Sequence, residues 1–395
     1  MMKNIKTHIA LAIIAAIMAM VSCSYPFEID VEGEGGTMVI QGDILIGEYT
    51  TVRVSHSSPI SDSFPEESTI TADVSVVDDE GTVYPAVNHT DDGYVIDTRT
   101  ADPNRLYKLR VKKDRTYESP LQPVNRPAAI DNLSYILDKE RNEMNIAISI
   151  HSESGSYFKW SYVEDWEYHA LKEATCIYIP PKVLRYDLVT FQDITDGPGE
   201  IVLVTEDNQT YRCWSHNESK NILVFSTENQ KEDRFVDLEF YTIDRSDRRI
   251  SYIYHIDVKL ESLTKDAYKY WETVRNNSDY TGSLFSPNPS ELRGNITCQE
   301  DPSEFVYGYI SVAQRSSKAI YILDSETGFF IDTYIYDTEL HNVSNWYDAY
   351  RKEALLPYRG PDPKSTLNID WINKRCVDCS LFGGSPKGRP DFWAY

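Results

Sequence analysis

The feature that most constrains this chain is a succession of short runs in which apolar and polar residues alternate, each run closed by turn residues. Between residues 37 and 124 they read TMVIQGDIL, YTTVRVSHSS, ADVSVVDDEGTVYPAV, GYVIDT and LYKLRVKKDRTYESPL. A period of two buries one face of a strand and wets the other, so these runs predict strands. Asp79-Glu80-Gly81 divides the third run into a hairpin. With no helical period among them, the expectation for 37–124 is an immunoglobulin-like β-sandwich. Pro120, Pro123 and Pro127 then predict a stiff spacer.

Alternation resumes in MNIAISI, YFKWSYVEDWEY, GEIVLVTE, NILVFST, FVDLEFYTI and SYIYHIDVKL, and again in FVYGYISVAQ and AIYILD. Residues 125–395 are therefore expected to form a larger, β-rich domain. One amphipathic helix is predicted near 263–276, where Leu263, Ala267, Tyr270, Trp271 and Val274 share a face at 3.6 residues per turn. Ser262 or Thr264 suits its start and Asn276-Asn277 its end. From Asn345 onward the pattern is irregular. A chain of 395 residues is long enough for two domains. Its 28 Tyr and 7 Trp suit strands and binding faces alike.

The first 22 residues stand apart. Lys3 and Lys6 precede an apolar run over residues 9–21, too short to span a bilayer comfortably and laid out as a signal peptide. Small residues lead directly to Cys23 in MVSC, which has the form of a bacterial lipobox, with Cys23 lipidated and first in the mature chain. The acidic run at 23–36, SYPFEIDVEGEGG after the cysteine, reads as a tether. Removing two lysines leaves 37 bases against 62 acids, a formal charge of −25. Nucleic acid is excluded as a partner on that balance, and acyl chains rather than basic patches would hold the protein at a membrane.

Five cysteines remain. CVDC is expected to be a structural cross-link, Cys376 with Cys379, and Cys176 with Cys213 a second bridge; Cys298 is left unpaired and buried. A zinc set from Cys213, His216 and CVDC is weighed and set aside, because exported thiols oxidise. Trp160, Tyr162, Trp166 and Tyr168 share one strand face, either a buried side or a stacking platform for sugars or peptides, and stand as candidate contacts. Glu164 and Asp165 offer an acid pair of the glycosidase kind, although sequence gives no separation for them. GGSPKG lacks the Lys-Ser/Thr step of a phosphate loop, and Asp91-Asp92-Gly93 lacks the alternating acids of a calcium loop. No catalytic residue, metal or cofactor is assigned.

KWSYVEDWEY, DAYKYW followed by GSLFSPNPSELRGNI, SSKAIYI and the closing CVDCSLFGGSPKGRPDFW together resemble the Bacteroidota lipoproteins of domain-of-unknown-function family 4249. The resemblance spans nearly the whole mature chain and carries over Cys23 alone as a functional position. Its members are typically encoded beside TonB-dependent outer-membrane receptors. It thus implies a lipid-anchored protein of the outer membrane, displayed at the cell surface, that acts as a non-enzymatic accessory or binding subunit of such a receptor. A lipid-anchored hydrolase of glycans or peptides is the alternative. In GSLFSPNPSELRGNI, Pro287 and Pro289 fix the backbone and Arg293 can pair with a carboxylate or contact a partner.

Overall fold

The computed structural model describes residues 36–57, 70–90, 93–153, 155–279, 293–359 and 369–394. The expected signal segment, Cys23, almost all of the tether, Asp91-Asp92 and the two loop prolines Pro287 and Pro289 lie outside the described residues. The chain is mainly β with few helices, as the alternation requires.

Strands from the first run onward build one nine-stranded antiparallel system. Met38–Gly42, Tyr49–His56 and Gly93–Asp97 form one layer, and Asp73–Asp78, Leu106–Lys112 and Thr116–Glu118 the other. Val83–Thr90 joins them. Val83, Tyr84 and Pro85 pair with Asp73–Asp78, and from Ala86 onward, across a register shift between Ala86 and Asn88, the strand pairs with Gly93–Asp97. A bulge of this kind bends a strand and lets it pass from one layer to the next. Ile40, Val52, Val54, Val74, Val76, Ile96, Tyr107 and Leu109 fill the space between.

Residues 37–124 do not complete this unit by themselves. The segment 294–314 returns to it: Thr297–Cys298 extends the sheet beyond Thr116–Glu118, and Val312–Ala313 runs parallel to Ile44–Leu45. Ile296, Cys298, Val306, Ile310 and Val312 join the same core. The approach is close enough to demand glycine. A Cβ on Gly308, whose φ is +132°, would sit 1.9 Å from the Ile40 carbonyl oxygen, and one on Gly294 would sit 1.6 Å from that of Gly308. The expected proline spacer is likewise tied down, with Gln122–Pro123 paired to Leu106 and Tyr107 and the Asn125 amide donating to the Val312 carbonyl.

The second body packs two sheets face to face. Ala129–Asp138, Glu143–His151 and Arg234–Asp244 form one. The other runs Arg212–Glu218, Tyr157–His169, Ile253–Ser262, Arg315–Leu323, with Leu223–Ser226 beside the start of the long central strand. Ile146, Ile148, Ile150, Phe158, Trp160, Tyr162, Ile256, Val258 and Leu260 meet between them. The expected helix spans Lys265–Asp279. Thr264 caps it, its hydroxyl accepting from the Ala267 amide at 3.2 Å, and Leu263 and Ala267 pack against Val224.

The described residues from 329 onward are mostly irregular, yet they carry the short helix Trp346–Arg351 and a small sheet of His341–Asn342, Asp370–Asn373 and Leu355–Arg359. Trp371, Leu355 and Ala349 pack there with Cys176 and Tyr178. Among the described residues no helix is long and apolar enough to cross a membrane.

Candidate binding cleft

The residues singled out in the sequence do not gather at one site. Trp160 is buried, stacked on Phe225 at 4.0 Å and edge-on to Phe240; Tyr162 rests on Phe240 and Tyr241. Tyr168 is buried and its hydroxyl donates to the Cys379 carbonyl at 3.0 Å, while Trp166 is half-buried between two clusters. The aromatic row is thus core, with the sheet of Ala129–Asp138 over Trp160 and Tyr162 and the Cys213–Cys379 cluster around Tyr168, and it offers no stacking platform. Arg293 is exposed at the first described residue of its segment.

The cysteine pairing differs from both expected bridges. Cys213 bonds to Cys379, 166 residues away. Cys379 packs with Tyr168, Ala170 and Cys213, whereas Cys376 faces a different cluster of Ala174, Tyr358, Ile372 and Val377, and its thiol donates to the Asp337 carbonyl. Neighbours in sequence therefore face apart. Cys176, Cys298 and Cys376 are buried thiols, each pushed up in pKa by burial. With its sulfur in the disulfide, Cys213 has no thiolate to give a metal.

Glu164 and Asp165 point to opposite faces of one strand, as adjacent residues must. Glu164 is 0% exposed and turned to the core, where Tyr254 donates to it at 2.6 Å, Asn217 at 2.8 Å and Arg249 at 3.0 Å. Asp165 faces outward, directly opposite His216 on one neighbouring strand and His255 on the other, with Tyr321 next in the row. Nδ1 of His216 lies 2.8 Å from Asp165; Nδ1 of His255 stops 3.6 Å away and is buried without a partner. The hydrogen bond to Asp165 raises the pKa of His216. Burial pushes Asp165 upward, but the two imidazoles outweigh it and hold its carboxyl below the usual range. Phe392 and Trp393 cover this row, and the Trp393 indole donates to Glu167 at 3.1 Å. One carboxyl inside and one beneath the tail cannot act on opposite sides of a single glycosidic bond.

Open space is found elsewhere, in a cleft of about 840 Å³ that sequence reading missed. One wall is the hairpin Val183–Asp187 and Gln192–Thr195. Asp187 shapes its turn by accepting from the Val189 and Thr190 amides, and Phe191 closes it in the left-handed region at φ 53°. The other wall is the helix Trp346–Arg351, capped by the Asn345 side chain and seated on the core by buried Ala349. Tyr347 ties the walls together, its hydroxyl donating to Asp193 at 2.7 Å, with Arg351 3.7 Å from the same carboxylate. This bond raises the pKa of Tyr347.

The rings of Tyr186, Phe191, Trp346 and Tyr347 line one space together with Gln192, Asp193, Asn345, Asp348, Arg351 and Lys352. Tyr186 is 53% and Phe191 72% exposed. The lining mixes aromatic rings with polar and charged groups in about equal measure, and the volume lies within the usual span of ligand sites. The available sequence signal was LRYDLVTFQDIT, with an Asp-started turn carrying three large apolar residues at its tip.

A family model described as a domain of unknown function, DUF4249, matches residues 24–319. No curated protein matches the chain.

Proposed function

The chain belongs to the DUF4249 family of unknown function, and from that premise we propose that it is a non-enzymatic, lipid-anchored subunit of the outer membrane. It receives cargo in the hairpin–helix cleft and works beside a TonB-dependent receptor. The observation that carries the binding role is the cleft itself, an open space of about 840 Å³ with exposed rings on a wall braced by Tyr347 and Asp193. Binding sites sit on loops held by a scaffold, and the helix wall here packs through Ala349 on the small sheet that carries Leu355 and Trp371. The anchoring role is supported by the apolar run that ends at Cys23, and by a charge too negative for headgroup attraction.

Crosslinking of intact cells followed by mild-detergent extraction tests the partnership. The protein is expected to co-purify with a TonB-dependent receptor; migration alone after crosslinking counts decisively against it. For the anchor, Cys23→Ala is expected to leave the membrane pellet.

A further inference from the structure

We infer that the hairpin–helix cleft is a site for an uncharged oligosaccharide, an inference that rests on the reading of this cleft as the place where cargo binds. Three observations converge on that ligand class. Rings come first. Tyr186 and Phe191 on the hairpin, and Trp346 and Tyr347 on the helix, border the same space, and the two hairpin rings have more than half of their surface free. The face of an aromatic ring carries negative charge and attracts the weakly positive C–H groups on the apolar side of a pyranose. More than one ring around an open cleft suits a chain of sugars.

Second, the polar groups of the lining are planar and mixed in kind. Asp193 and Gln192 present a carboxylate and an amide that can meet neighbouring hydroxyls, and Arg351 supplies a fork of donors. Asp193 is already held by Tyr347, so it is oriented before a ligand arrives.

Third, charge selects against ionic ligands. The full chain carries a formal net charge of −23, yet Asp193 and Asp348 in the lining are matched by Arg351 and Lys352, and Lys352 pairs with Asp348 at 2.9 Å. An anionic ligand would need a surplus of cations here, and a cationic one a surplus of acids. The cleft offers neither. A peptide would dock most simply by adding a strand to the hairpin, but the register shift between Val183 and Arg185 interrupts the ladder such a strand would extend.

The test uses the full mature lipoprotein in detergent micelles, titrated by calorimetry and tryptophan fluorescence. The probes are maltoheptaose, cellohexaose, xylohexaose and mannohexaose, an oligogalacturonate as the anionic arm, and a mixture of uncharged hexapeptides. At least one neutral oligosaccharide is expected to bind, and Phe191→Ala to weaken it by about tenfold or more with the melting temperature unchanged. Tyr186→Ala gives a second exposed variant that carries no folding risk. Preference for the anionic or peptide arm overturns the sugar assignment, yet leaves a cargo site in the cleft standing. Neutral-sugar binding that neither variant alters overturns the placement in this cleft, and no neutral-sugar binding across the panel overturns the inference outright. Receptor co-purification is read separately in cells, so failure of the partnership is distinguishable from either result.

Discussion

Lys159→Met tests how the two bodies are joined. Lys159 lies on the central strand opposite Glu261, and its ammonium bonds to Asp43 of the first body and sits 3.2 Å from Glu261. Glu261 is also held by Arg315 at 2.6 Å, and Asp43 accepts from the Ser311 amide at 3.1 Å. Burial disfavours the charged ammonium, but Asp43 and Glu261 outweigh it and raise its pKa. At 3.2 Å one such contact amounts to about 5 kcal/mol of gross attraction at an effective dielectric of about 20, most of it offset by desolvation. The cost of removing one partner is the unbalanced charge left behind. Here Glu261 keeps Arg315, while Asp43, 9% exposed, loses its cation, so the loss belongs at the lower end of the 3–5 kcal/mol range, about 3 kcal/mol.

Urea unfolding of the mature protein, followed by circular dichroism and tryptophan fluorescence, measures the loss. Asp43→Asn keeps an acceptor for the Ser311 amide, and its combination with Lys159→Met closes a double-mutant cycle. The coupling is expected at about 1–3 kcal/mol, with the double variant more stable than Lys159→Met alone. Because Asp43 and Lys159 belong to different bodies, the single variant should also broaden or split the transition. A loss under about 1 kcal/mol, or additive effects in the cycle, refutes the view that this cation holds the junction.

Two other expectations concern the C-terminal tail. Cys213→Ser opens a loop closed by residues 166 apart, worth at most about 5 kcal/mol in the chain-entropy account. The unfolding midpoint should fall and residues 384–393 should become the first site of protease cleavage; a midpoint equal with and without reductant would mean that packing alone retains the tail. The His216–Asp165 pair predicts a stability window. With its pKa raised, His216 contributes fully below its unfolded value and loses that contribution as pH rises through the folded one; with its pKa lowered, Asp165 contributes above its unfolded value and loses it as pH falls. The pair therefore supports folding best between about pH 4 and 6.5, and His216→Gln should flatten the alkaline decline of the urea midpoint, an unaltered decline assigning it to other groups.

What could be read in the sequence was local. Period-two runs located most of the sheet strands because each strand carries its own burial pattern, and the helix was legible from one face, with the observed Lys265–Asp279 starting after Thr264 as a hydroxyl cap requires. The aromatic row at 160–168 was visible as a row, but whether it is core or platform depends on a sheet drawn from residues 129–151 and 234–244, and a strand does not encode its cover. Pairing of Cys213 with Cys379 depends on where a distant tail comes to rest, so the nearby CVDC spacing misled. The return of 294–314 to the first body rests on contacts far apart along the chain, marked in sequence only by glycines whose purpose appears once Ile40 stands beside Gly308. The cleft joins residues 186–198 to 343–352, and neither half has the composition of a site by itself.

Phe191 draws these threads to a physical point. All seven tryptophans, Trp160, Trp166, Trp214, Trp271, Trp346, Trp371 and Trp393, are buried or packed against core clusters, so this chain has ample means to cover large rings. Yet at the hairpin tip it leaves Leu188, Val189 and Phe191 each more than two-thirds exposed and sets Phe191 at φ 53°. A left-handed conformation in a residue other than glycine costs on the order of 1 kcal/mol, and apolar exposure of this size forgoes about 25 cal/mol per Å² of burial. Among the described residues the side-chain hydrogen bonds at the turn are those in which the Val189 and Thr190 amides donate to the Asp187 carboxylate. A strained, exposed ring beside a cavity fits the cargo-contact role proposed for Phe191. Phe191→Gly would relieve that strain and remove the ring, so it should leave the fold as stable or slightly more so while weakening ligand binding by about tenfold or more, as expected of Phe191→Ala. That combination separates a binding residue from a structural one.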